Sequence, residues 1–334
     1  MPGIYTWHDD DREEEEPSTI FRSQGIYTLR SKHDSATLCQ EPEMPRSSQA
    51  ADTTAGVIAK ALEKLTRKVY SEAQLGAQIG ELLRELGSTY RPREVLGKLR
   101  NAGAVTEIVL KSPEYASIRR YAVGEPSPFE LGLSLRGGAY LSHAAAVFLL
   151  DLNDQLPKTL YVNKEQTPKP VPSTPLAQDR IDRAFRASPR RSNYIYHFGE
   201  THYVLLSGKN TRDFGVEERS GPDGEPLRVT GLDRTLVDIA VRPTYSGGVF
   251  QVLEAYRTAL GRLSVTRILE TLDRLDYVYP YHQVVGYYLE KAGLPEPETK
   301  PFKDRGLAWD FYLTHGLRDT EYDPAWRLHV PRGF

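Results

Sequence analysis

Between Thr53 and Val123 the chain sets helix starts, helix stops and turn residues so close together that few folds fit the segment. Val57, Ile58, Ala61, Leu62 and Leu65 recur at helical spacing behind a cap at Thr53 or Thr54, which predicts a first amphipathic helix. The extended link Lys68-Val69-Tyr70 leads to Ser71, a cap for a second helix through Leu75, Ile79, Leu82, Leu83 and Leu86 that Gly87 stops. Pro92 near the start and Gly103 just past the end bound a third helix, whose apolar residues are Val95, Leu96 and Leu99. Ala104 to Leu110 and Ile118 to Val123 read as two strands joined at Lys111-Ser112-Pro113-Glu114. Three helices and a hairpin within residues 51–124 is the winged helix-turn-helix pattern, with the third helix as reader of the DNA groove and the hairpin as wing.

Charge is distributed in keeping with that pattern. Over 334 residues, 43 Lys+Arg face 45 Asp+Glu for a formal net charge of −2, which excludes a chain basic throughout but not a basic patch. Residues 51–124 hold twelve bases and eight acids, a net of +4. Arg91, Arg93, Lys98 and Arg100 lie on the third helix and its N-terminus, and Lys111, Arg119 and Arg120 on the hairpin. A helix in the major groove needs donors for phosphates and base edges, where arginine bonds guanine bidentately, so these seven residues are the candidate DNA contacts. The bland alternative is a solvated charged face on a protein-binding module.

Residues 1–50 are different: ten acids, five bases and no sustained apolar periodicity predict a disordered acidic tail. Met44 is the only methionine besides Met1 and a second candidate start of translation. The longest apolar stretch, Ala139 to Leu152, is interrupted by Ser142, His143 and Asp151 and falls short of the ~20 residues of a membrane helix. The first residues are acidic and lack the pattern of a signal peptide, and Cys39 stands alone, so no intrachain disulfide forms. These features predict a soluble, cytoplasmic protein.

Residues 125–138, rich in Pro and Gly, read as a linker to a larger domain over 139–334. There Ser142 caps a helix through Ala146, Phe148 and Leu149, Lys158 to Asn163 reads as a strand, and Leu176 to Arg186 as a helix. Tyr194 to Phe198 and His202 to Leu206 flank the turn Gly199-Glu200, and Pro222-Asp223-Gly224 precedes the strand Leu227-Arg228-Val229. Helices follow over 233–241, 248–260, 265–275 and 281–292, then strands at 309–313 and 326–330. The fold class is α+β, with a mixed α/β C-terminal domain.

No motif along the chain is specific enough to name a reaction. His197 and His202 lack a third ligand at metal-binding spacing, and Glu298-Thr299-Lys300 offers an acid-x-Lys element with Asp276 upstream but in a Pro-rich stretch. Asp233 and Asp238 read as cap and surface charge, Gly247-Gly248 has no Lys-Ser/Thr after it, and Ser142-His143 lacks nucleophile-elbow glycines. No metal or cofactor is expected. Tyr277, Tyr279, Tyr281, Tyr287 and Tyr288 crowd one segment, as suits a core boundary or an interface.

Several blocks in order resemble the AbiEi family of antitoxins, DNA-binding members of type IV toxin-antitoxin systems. They are the winged-helix segment, Gly138-Ala139-Tyr140-Leu141-Ser142-His143-Ala144-Ala145-Ala146, Pro157 to Gln166, Arg228 to Asp238 and Tyr277 to Gly293. The resemblance covers residues 52–334 and implies a non-enzymatic autorepressor that binds operator inverted repeats in double-stranded DNA. It also implies a C-terminal domain that counters a nucleotidyltransferase-like AbiEii toxin without a stable complex. Two rivals from other classes are a nuclease or other nucleic-acid-processing enzyme centred on Glu298 and Lys300, and a ligand-responsive transcriptional regulator with a sizeable apolar pocket.

Overall fold

The computed structural model describes residues 46–168 and 175–334; the bulk of the expected acidic tail, residues 1–45, lies outside them. The first helix begins earlier than the Thr53 or Thr54 cap predicts: α1 spans Arg46–Glu63, taking in residues assigned to the tail. A short strand β1 (Val69–Tyr70), helices α2 (Glu72–Glu85) and α3 (Pro92–Asn101), and strands β2 (Thr106–Leu110) and β3 (Ile118–Ala122) follow. Ser71 caps α2 with a full capping box, its side chain accepting from the Gln74 backbone while Gln74 reaches back to the Ser71 N–H. The three strands form an antiparallel sheet in the order β1-β3-β2, pairing Val69 with Ala122 and Glu107 with Tyr121. This is the winged-helix arrangement.

The small sheet has a core on each face. Tyr70 and Tyr121 join Ile58, Leu62, Leu75, Ile79 and Leu99 under the three helices. Val69, Ile108, Leu110 and Ala122, one residue out of phase, face the other way and pack into the larger core with Phe129 and Leu131. The segment expected as a linker, 125–138, is therefore not one. Ser127 accepts from the Glu130 N–H at 3.1 Å and starts α4 (Pro128–Ser134), with Pro128 at a position that has no helical N–H bond to lose. Phe129, Glu130 and Leu131 are buried, and residues 45–334 make one compact unit rather than two domains on a tether.

Beyond α4 runs a six-stranded mixed sheet built from β4 (Tyr140–Ser142), β5 (Thr159–Glu165), β6 (Ile195–Phe198), β7 (Thr201–Gly208), β8 (Val216–Ser220) and β9 (Pro226–Thr230). Its order is β6-β7-β5-β4-β9-β8, with β5 parallel to β7 and β4 parallel to β9. Helices α5 (Ala144–Leu149) and α6 (Gln178–Arg186) sit in the connections. Ser142 does not cap α5: it ends β4, and His143 takes the N-cap place at φ 53° and ψ −127°.

Helices α7 (Leu232–Val241), α8 (Val249–Ala259), α9 (Val265–Leu275) and α10 (Tyr281–Ala292) follow the expected spans closely. An unexpected α11 (Glu296–Lys303) comes next, then a small sheet of β10 (Phe311–Tyr312), β11 (Thr320–Asp323) and β12 (Leu328–Pro331). Gly286 of α10 admits Trp326 and Phe302, whose Cβ would stand 2.9 Å from any added methyl group. The chain is a mixed α+β protein, as its sequence predicts.

Candidate functional site

Helix α3 turns Val95, Leu96 and Leu99 inward and leaves its opposite side open. Arg91 occupies the N-cap position with extended backbone and makes no capping bond with its side chain. Both Arg91 and Arg93 are exposed, and neither has an acidic partner among the described residues. Near the middle of the outer face is Gly97, where an added Cβ would meet nothing within 4 Å.

The other candidates are more committed. Lys98 pairs with Asp52 of α1. Arg100 pairs with Glu107 of β2 and lies over the Tyr121 ring, 5.7 Å from its centroid. Arg119 stands 3.6 Å from the same Glu107 carboxylate, with 71% of its side chain exposed, so it remains accessible to a phosphate. Arg120 points the other way: its guanidinium donates to the Ser134 carbonyl at the end of α4 at 3.0 and 2.8 Å, and burial lowers its pKa. Alternation along β3 puts Arg119 outside and Arg120 against α4, so only the first is open to solvent.

The tip of the wing is tied to the six-stranded sheet, although Lys111 there is exposed. Its backbone N–H donates to the His197 carbonyl at 3.1 Å, and the His197 N–H returns a bond at 2.7 Å. From the same loop, Tyr115 stacks on Tyr194 with centroids 4.3 Å apart. The loop before β6 that carries Tyr194 borders a cleft of 1140 Å³.

At the floor of that cleft is a buried ion pair. Arg234 Nε donates to both oxygens of Asp238 one turn along α7, at 3.0 and 3.1 Å, and its Nη1 donates to the Phe214 carbonyl at 2.7 Å. Burial pushes the Asp238 carboxyl up and the Arg234 guanidinium opposes it; burial works downward on Arg234, and the Asp238 carboxylate together with the Tyr140 and Tyr277 hydroxyls more than offsets it. Beside them Asn163 donates to the Tyr140 hydroxyl at 2.8 Å, and the Gly208 N–H donates to Asn163 at 2.9 Å. His143 is buried with its Nδ1 2.9 Å from Ser142 Oγ, and burial followed by the Arg234 and Arg242 charges lowers its pKa to about 3, so the ring is neutral.

No protein-family model matches the chain, and none of the curated proteins does. Its backbone resembles a solved one. The crystal structure of RV2827C protein from Mycobacterium tuberculosis superposes with a TM-score of 0.52, covering 83% of this chain and 91% of that one at 16% identity. At that identity the likeness is one of fold.

The side chains set aside on sequence grounds fall as follows. His197 and His202 face each other across the β6–β7 hairpin, ring centroids 4.5 Å apart. Glu298 and Lys300 sit on exposed faces of α11, where Lys300 pairs with Asp304 at 2.6 Å, while Asp276 pairs with Lys209 at 3.3 Å. Among the described residues no cluster of three His, Cys, Asp or Glu could hold a metal ion. Asp233 and Asp238, read as surface charge, are both buried; Asp233 accepts from the Ser264 N–H and pairs with Arg267 at 3.0 Å. A charged residue at every fourth place of an otherwise apolar helix was the available signal, since Arg234 and Asp238 share a face with the buried side of α7.

Proposed function

We propose that the protein is the DNA-binding antitoxin of a type IV toxin-antitoxin system, a cytoplasmic, non-enzymatic autorepressor that reads its own operator with α3. The observation that carries this reading is the pair of exposed, unpartnered guanidiniums of Arg91 and Arg93 at the N-terminal end of a helix whose outer face is open at Gly97. Arg119 on the wing supplies a third accessible cation; Lys98 and Arg100 lie on α3 itself, and Lys111 lies at the tip of the wing. Arg120 is left out of the interface because Ser134 holds it. The partner is double-stranded DNA carrying inverted repeats upstream of the operon. A nucleotidyltransferase-like toxin is countered through the sheet and helices after α4 without a stable complex.

Gel retardation on DNA from the protein's own upstream region tests the reading. At fixed salt, Arg91→Ala with Arg93→Ala weakens binding by about 1–3 kcal/mol for each guanidinium that reads a base. Unchanged affinity removes α3 from the interface. Co-expression with the adjacent toxin frame, lethal alone and tolerated with this protein, tests the antitoxin half separately.

A further inference from the structure

The cleft beside the six-stranded sheet has cations and aromatic rings among its lining residues. Arg190, Arg191 and Arg242 all border it, and none has a carboxylate partner among the described residues. Several other arginines of the chain are paired: Arg183 with Asp179, Arg228 with Asp213, Arg267 with Asp233, Arg327 with Asp310. Asp238 is the one acid on the cleft wall, and Arg234 neutralises it. Three uncompensated guanidiniums in one concavity leave it strongly positive, and planar guanidinium forks fit phosphate oxygens two at a time.

Bare phosphate would fill little of the space. A volume of 1140 Å³ stands at the upper end of small-ligand sites, which run to about 1,000 Å³. Tyr194, 44% exposed, and Tyr245 and Tyr279 line the same cleft. Tyr245 is held by stacking on Tyr161 at 4.4 Å and by an edge contact with His143 at 5.2 Å, so a planar ligand meets preset rings. His143, only 7% exposed, is committed to Ser142 through Nδ1, while its Nε2 has no hydrogen-bond partner among the described residues.

We infer that this cleft binds a nucleoside polyphosphate, its phosphates gripped by Arg190, Arg191 and Arg242 and its base stacked on the tyrosines. This site is separate from the α3 surface, and neither depends on the other for its argument.

Fluorescent triphosphates of adenosine and guanosine, titrated into the full chain and followed by polarisation, test the site with inorganic pyrophosphate and a short single-stranded oligonucleotide as competitors. At least one triphosphate binds, and Arg190→Ala with Arg191→Ala weakens it about tenfold or more, as expected on losing charge-assisted phosphate bonds. Both residues are exposed, so this variant folds even where Arg242→Met does not, and its retention of operator DNA without nucleotide stays at the wild-type level. Absence of binding at about 1 mM nucleotide, a weakness beyond roughly −4 kcal/mol, overturns the site. So does equal affinity in the double variant, pyrophosphate competing as well as the nucleotide, or an oligonucleotide binding where free nucleotides do not.

Discussion

The Glu130 carboxylate accepts a hydrogen bond from the Val69 backbone N–H at 3.0 Å, and both residues are buried. The same oxygen accepts from the Lys68 N–H at 2.6 Å. One side chain of α4 thus closes the free edge of β1, the short strand that links α1 to α2. Replacing it with alanine strands two backbone donors, that of the buried Val69 among them. Glu130→Ala lowers unfolding free energy by about 1–3 kcal/mol in urea, and Glu130→Gln, which keeps an acceptor, loses less. Equal losses in the two variants would assign the effect to packing instead.

Gly97 offers a cleaner probe of the α3 surface than any arginine. Open space surrounds its missing Cβ, so Gly97→Glu disturbs no contact and gains up to about 1 kcal/mol of helix propensity. The same change sets a carboxylate and its bulk in the middle of the proposed groove-facing surface. The variant therefore melts no lower than wild type while losing operator retention in a gel. A variant that is stable and still binds DNA like wild type means that α3 does not enter the groove.

Which elements the sequence revealed follows from what each is made of. Helix α2 was readable because Ser71 and Gln74 form a cap, Leu75, Ile79 and Leu83 repeat at helical spacing and Gly87 takes a positive φ of 61°. Helix α11 was not, since Pro295, Pro297 and Pro301 argue against a helix; two of them fall before or within its first turn, and burial of Thr299 and Phe302 holds the rest. Strand β8, Val216-Glu217-Glu218-Arg219-Ser220, is a polar sheet edge whose partner β9 alone defines it. The linker became α4 because one buried face, Phe129 and Leu131, is too short for periodicity to register. On the site, exposed α3 arginines were legible from charge and spacing. Partnering was not: that Arg120 faces Ser134 and that Arg190, Arg191 and Arg242 share a cleft depend on strands far apart in the chain.

His143 makes stability depend on pH in a defined direction. Its folded pKa is lowered to about 3, by burial first and then by the Arg234 and Arg242 charges, whereas an unfolded histidine titrates near 6.5. Above about pH 6.5 neither state carries the proton and the contribution is fully present. Below it the unfolded chain takes up a proton that the folded chain refuses, so stability falls by up to about 1.4 kcal/mol per pH unit. His282 and His315 are lowered too and add the same sign, so the comparison has to be with a variant. His143→Asn suits, because asparagine, unlike most residues with a side chain, tolerates a positive φ such as the 53° at this position. Urea midpoints between about pH 7 and pH 5 decline less steeply in the variant; parallel declines would place a protonated His143 in the folded chain.

Arg234 and Asp238 are each other's main compensation in the interior, which fixes how their variants combine. Asp238→Leu leaves a guanidinium with only the Phe214 carbonyl and a 3.4 Å contact to Thr211 Oγ1, and costs about 3–5 kcal/mol. Arg234→Met leaves a buried carboxylate whose pKa burial already pushes upward, so its loss is of the same order and shrinks as pH falls and the carboxyl takes a proton. Joining Arg234→Met with Asp238→Leu removes both charges and fills the same volume, and the double variant loses less than either single one. Chemical denaturation of the four proteins at one pH measures the coupling. Because the pair forms the floor of the cleft, nucleotide affinity measured on the folded double variant separates a floor that only supports the site from one that touches the ligand. Affinity within about threefold of wild type, a change below roughly 1 kcal/mol, assigns Arg234 to support, leaving phosphate contact to Arg190, Arg191 and Arg242.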